Sequence, residues 1–153
     1  MHRIVPLLLA GLLTGCAHLG PDLIPVGEAT AGDLSRVALL REDSNHPVIV
    51  RGVDGIALDS VRIPSPITDY AYVLTPGRHT LWVKGAPYPH PLVPQRIYCY
   101  SIEITLEKGG QYVLVEERDN DRALALDERT RAIVAVGPLV DKPWVFERDC
   151  RWR

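Results

Sequence analysis

The sequence has no apolar run long enough to cross a membrane as a helix, no CxxC or HExxH spacing, no GxSxG turn, and only three cysteines in 153 residues. Each absence removes a class. Without about 18 consecutive apolar residues a multi-spanning protein is excluded. Without paired Cys or His spacings a structural zinc site has no ligand set. Without a nucleophile elbow an α/β-type serine hydrolase has no starting point. Charge of one sign is also scarce, with 17 Lys and Arg against 19 Asp and Glu. Nucleic acid needs a concentrated basic surface that displaces counterions, so it is excluded as a partner. What remains is a globular mixture, 46% hydrophobic and 24% charged, of a length that suits one domain.

The first residues divide into a short basic part, Met1-His2-Arg3, an apolar part over 4–13, and Leu13-Thr14-Gly15-Cys16. Ten residues of helix rise only about 15 Å, half the hydrocarbon thickness, so the segment reads as a removable signal over 1–15. The tetrapeptide resembles the lipobox of bacterial lipoproteins. The resemblance implies cleavage before Cys16, a diacylglycerol on its sulfur, and attachment to the membrane through the N-terminal lipid. With two or three acyl chains, each methylene contributing about 0.8 kcal/mol, such attachment is practically permanent. Ala17 stands where Asp is the usual inner-membrane retention signal, which by the same likeness implies the periplasmic face of the outer membrane. Residues 16–32 are rich in Gly and Pro and read as the lipidated cysteine and a flexible tether. Leu23-Ile24-Pro25-Val26 keeps a second reading, an edge segment packed along the domain.

With Cys16 assigned to lipid, Cys99 and Cys150 remain in an oxidising compartment and are expected to form a disulfide. From Asp33 onward, short β-rich runs alternate with turn signals and no amphipathic helix of three turns occurs. The expected fold is all-β, a small antiparallel β-sandwich of about seven to ten strands over 33–153. Strands are expected at 36–40, 48–53, 56–63, 69–74, 79–83, 96–106 and 112–117, with weaker ones at 123–126, 132–136 and 144–146. Asp54-Gly55 reads as a two-residue hairpin turn, because both residues tolerate positive φ. Gly109-Gly110 and Pro76-Gly77 read as further tight turns. In the longest strand Tyr98, Tyr100, Ile102, Ile104 and Leu106 share one face and Ser101, Glu103, Thr105 and Glu107 the other. Cys99 falls on the polar face, so its bond to Cys150 is expected to pin the C-terminal tail against the outside of the sheet.

Val53-Asp54-Gly55, then Leu74-Thr75-Pro76-Gly77-Arg78-His79-Thr80-Leu81-Trp82-Val83, then Gly110-Gln111-Tyr112-Val113-Leu114 is similar to small PEGA-like β-sandwich domains, including bacterial lipoproteins. The likeness covers about residues 48 to 115. It implies an extracytoplasmic scaffolding or binding module. The Pro-rich insertion after Val83 and the region beyond Asp119 depart from the pattern.

No catalytic constellation stands out. His79 shares strand parity with Leu81 and Val83 and reads as an inward histidine hydrogen-bonded to backbone rather than a metal ligand. Ser60, Ser65 and Ser101 have no neighbouring histidine. Asp119-Asn120-Asp121, with Glu116, Glu117, Asp127 and Glu128, lacks the glycine and distal glutamate of a calcium loop. Its acids alternate with Arg118, Arg122, Arg129 and Arg131, which reads as a solvated hairpin. No metal, cofactor or catalytic residue is expected. The segment 85–96 holds four prolines within eight residues, so it is stiff and would lose little entropy on binding. Tyr88, His90 and Leu92 are its candidate contact residues. The expected role is a non-catalytic, membrane-anchored envelope module with an envelope protein as partner. The alternatives are an inhibitor lipoprotein acting on a lysozyme or protease, and a periplasmic hydrolase.

Overall fold

The computed structural model describes residues 21–46, 48–58, 70–85, 95–144 and 150. Ten strands follow in chain order: β1 Asp22–Pro25, β2 Ala38–Glu42, β3 Val48–Val53, β4 Ile56–Ala57, β5 Tyr70–Leu74, β6 Gly77–Gly85, β7 Cys99–Leu106, β8 Gln111–Glu117, β9 Arg122–Asp127 and β10 Ile133–Asp141. The fold is all-β, as expected. In place of two separate layers there is one sheet of order β1-β5-β2-β8-β9-β10-β7-β6-β3-β4. Among the described residues, only β1 on β5 and β2 on β8 pair in parallel.

The sheet curls on itself. β10 pairs with β9 from Ile133 to Pro138 and then with β7 at Leu139 and Asp141, so it belongs to both flanks. One core cluster takes Leu40, Tyr72 and Leu114 from the first flank and Val50, Leu81, Val83, Tyr100 and Ile102 from the second. Gly137 lets the two flanks join closely. A Cβ there would overlap the Ile102 side chain and lie 2.8 Å from the Ser101 carbonyl oxygen. At the other limit of the sheet the turn after β1 approaches β4, since a Cβ on Gly27 would reach within 3.9 Å of Ile56 Cδ1.

The turn signals differ in what they do. Asp54 and Gly55 have φ of 51° and 82° and join β3 to β4 as a tight hairpin, as expected. Gly77, at φ 134°, and Gly109, at φ 72°, take the backbone where only glycine is unstrained. They do not close hairpins. Pro76-Gly77 leads from β5 on the first flank to β6 on the second, and Gly109-Gly110 leads back from β7 to β8. A turn motif encodes a local reversal, and the pairing of the strands beyond it is decided by which apolar faces meet.

The N-terminal boundary moves. Asp22–Pro25 forms the edge strand β1, Val26 N–H donates to the Val73 carbonyl at 3.0 Å, and Val26 and Ala29 are buried. The edge-segment reading of Leu23 to Val26 therefore holds, and residues 22–29 belong to the domain rather than to a tether. The expected strand at 36–40 lies two residues later, and that at 132–136 runs on to Asp141. The run expected from Arg96 becomes a strand at Cys99, while Arg96 makes a single bridge to Trp144.

Cys99 and Cys150 form a disulfide with Cα atoms 5.7 Å apart. Together with Ile97 they make a small buried cluster separate from the main core, on the face of β7 opposite Tyr100 and Ile102. The bond closes a separation of 51 residues, so loop-closure entropy predicts a contribution of about 4 kcal/mol. The Cys99→Ala/Cys150→Ala variant is expected to lose roughly that amount in urea unfolding. An unchanged midpoint would show that the tail is held by other contacts.

Candidate functional site

Two carboxylates point into the core at the same end of the curled sheet. Ala38 and Leu40 of β2 face inward, and strand alternation carries Glu42 to the same side. Its Oε1 accepts the Val50 N–H at 2.7 Å, a donor on β3 of the opposite flank. Tyr70 donates its hydroxyl to Oε2, and the Tyr72 hydroxyl lies 3.4 Å from Oε1. The two tyrosine rings meet edge to face at 5.7 Å. These donors are all neutral, and burial dominates. It pushes the Glu42 carboxyl up to about 7, against the opposing pull of the hydrogen bonds from Tyr70, Val50 and Tyr72. The Tyr70 hydroxyl is also pushed up, first by burial and then by Glu42.

On β8, Tyr112 and Leu114 face the core and Glu116 follows them inward, 8% exposed. It accepts from the Tyr100 hydroxyl at 3.0 Å and from Arg118 Nη2 at 2.8 Å. Gly85 leaves room for it, since a Cβ there would overlap the carboxylate. Arg118 stands 5.0 Å over the Tyr98 ring, Lys142 Nζ 4.0 Å from the same ring, and Tyr98 stacks on Tyr100 at 6.4 Å. Burial, then the Glu116 charge, raise the Tyr100 hydroxyl above the ordinary phenol range. Glu116 is thus matched by a cation, whereas neutral donors surround Glu42.

At the opposite end His79 is buried on β6. Its Nε2 lies 2.8 Å from the Thr75 carbonyl oxygen and its Nδ1 2.6 Å from Asp54 Oδ2. Both partners are oxygen acceptors of the fold, so the ring bridges a backbone carbonyl and a carboxylate. Asp54 Oδ1 also takes the Thr80 N–H at 2.8 Å. The hairpin turn and the segment after Pro76-Gly77, far apart in sequence, are joined by this triad. The expectation of an inward, backbone-bonded histidine holds, and its carboxylate partner is an addition.

A carboxyl near neutrality can in principle hold or release a proton for a reaction. Here the donors to both carboxylates and the acceptors that face His79 come from the fold itself, which suits linkage between flanks. The acidic stretch after β8 is a hairpin: 118–120 makes one 3-10 turn, Glu117 pairs with Arg122, Glu128 with Arg41 at 2.9 Å, and Asp127 accepts from Thr130. The hydrogen bonds from Arg122 and Asn120 lower Glu117, and those from Thr130 lower Asp127. Glu116 alone of that stretch turns inward. Among the described residues no group of three or more His, Cys, Asp or Glu is placed to hold a metal. Cys16, Ser60, Ser65, Tyr88, His90 and Leu92 lie outside the described residues. Glu42 and Glu116 were missed as a pair, although each continues the inward parity of its own strand. No family model matches the chain, and no curated protein or solved structure matches it either.

Two predictions follow the geometry. The folded chain keeps a proton on Glu42 that the unfolded chain releases, so this contribution to stability is full below about pH 4.5 and lost as pH rises through about 7. Wild type is expected to lose up to about 3 kcal/mol from this group between pH 5 and 8, and Glu42→Gln to flatten that loss. A wild-type slope retained in the variant would assign it elsewhere. For the triad, a double-mutant cycle of Asp54→Asn and His79→Gln should show coupling of about 1–2 kcal/mol. Additive losses would mean that the two side chains act independently.

Proposed function

We propose that the chain is a bacterial lipoprotein, held to the periplasmic face of the outer membrane by acyl chains on Cys16, whose β domain acts as a non-catalytic structural or interaction module of the envelope. The observation that carries the reading is the order basic residue, apolar run, Leu13-Thr14-Gly15-Cys16, followed six residues after the cysteine by the first strand. A folded body that begins so soon after the lipobox suits a protein meant to work close to the bilayer. The non-catalytic reading is supported by the engagement of Glu42, Glu116 and His79 with groups of the fold. The disulfide suits an oxidising compartment. The PEGA-like likeness is kept within the proposal, supported by the meeting of Asp54 and His79 from two separate parts of its motif.

Intact mass of the native mature protein tests the anchor. The expected product starts at Cys16 and carries a diacylglycerol, and Cys16→Ser leaves the membrane fraction. A terminus cut elsewhere, or a bare thiol at Cys16, would falsify the reading. Proximity labelling from the anchored protein then tests the module: the Tyr88→Ala/His90→Ala/Leu92→Ala variant should lose a subset of labelled envelope proteins, and an unchanged set removes the Pro-rich segment as the contact.

A further inference from the structure

Strand β9 is built inside out. It turns Ala123 and Ala125 into the core and Leu124 and Leu126 to the outer face. Beside it, β10 carries Ile133, Val134, Val136 and Val140 at 43–55% exposure. Ile133 stands opposite Leu126 and Val136 opposite Leu124, so the aliphatic side chains form one continuous surface. A sheet face turned to water normally alternates to polar residues. The outer faces of β6 and β7 do so, with Arg78, Thr80, Glu103 and Thr105 around Trp82. The outer face over β5 and β2 is closed by Ala29 and Val37, packed with Val73 and Leu39. Leu124 and Leu126 are themselves buried, in a cluster with Val113 that Val115 joins, whereas the large outward side chains of β10 remain open.

We propose that this exposed aliphatic strip of β10 rests on the bilayer that holds the acyl chains of Cys16. The proposal depends on the anchored reading above, and two observations favour lipid over a second copy. First, six residues from Cys16 to Asp22 span at most about 22 Å, so the domain stays within that distance of the bilayer surface. Second, β1 and β10 are five positions apart in the sheet, about 24 Å, so the anchor point and the open strip fit one membrane footprint. Tethering makes the contact intramolecular, and a face too small to bind membranes alone then suffices.

The test uses the full mature protein, methyl-labelled, in nanodiscs of phosphatidylethanolamine and phosphatidylglycerol with a lipid spin-labelled high on its acyl chain. Methyl signals of Ile133, Val134 and Val136 should relax at least about threefold faster than that of Ile56, an equally exposed aliphatic on β4. The Ile133→Thr/Val134→Thr/Val136→Thr variant, which keeps β-branching, should fold and move away from the label, read at Val140. Acylated protein whose β10 methyls relax no faster than Ile56 overturns the docking and leaves the anchor standing. Contacts between β10 methyls of two copies would also overturn it, in favour of a dimer. Protein that carries no acyl chain overturns both readings.

Discussion

A single sheet can bury its inner face only by bringing its own flanks together, and whatever polar group the curl carries inward must then find its partner there. That constraint organises the molecule. The aliphatic middle, with Leu40, Val50, Leu81, Val83, Ile102 and Leu114, supplies the driving force for closure. The ends of the strands set its terms, because alternation does not stop where the apolar residues run out. On β2 the third inward position is Glu42, and on β8 it is Glu116. A buried carboxylate without donors is costly, so each fixes the position of strands other than its own.

The two carboxylates meet this demand in different ways. Glu116 has Arg118 two residues along its own chain and Tyr100 across the core, so charge and hydrogen bonds are matched together. Glu42 reaches over to a backbone amide on the opposite flank, and its other donors are phenols. A carboxyl served by neutral donors keeps most of its desolvation cost as a charge, and that cost raises its affinity for a proton. The tyrosine hydroxyls accept as readily as they donate, so the same cluster accommodates the carboxylic acid. At the far end the triad of Asp54, His79 and Thr75 ties a β3–β4 hairpin to the chain entering β6. Polar links therefore sit at both ends of an apolar middle.

Much of the strand content was legible because period-two alternation and turn chemistry are local. Val48–Val53 was read to its boundaries, and Asp54-Gly55 was read with its hairpin. The single curled sheet was not legible. Pro76-Gly77 and Gly109-Gly110 look like hairpin turns, yet each carries the chain from one flank to the other, and no local signal separates the two uses. β1 was weak in sequence because Pro25 and the surrounding glycines suppress strand propensity, and its parallel pairing with β5 supplies what propensity lacks. Glu42 was within reach of sequence reasoning. The parity of Ala38 and Leu40 leads to it, but a glutamate after two apolar positions is usually read as the end of a strand.

The edge strand also changes how the N-terminus bears on the body. A flexible chain of 16 residues would let the domain sample the space around its attachment point on the scale of its own diameter. Asp22 to Pro25 instead lie on β5 and Val26 is bonded to Val73, so this part of the chain moves with the sheet. Force or displacement applied at the N-terminus is then delivered to β5, which is buried along its whole length between β1 and β2. β5 in turn carries Tyr70 and Tyr72, the donors to Glu42, and Glu42 holds the Val50 amide of the opposite flank. The point where the chain enters the fold is thus connected by two side-chain steps to the link between flanks, and the edge strand and closure of the sheet are parts of one mechanical path.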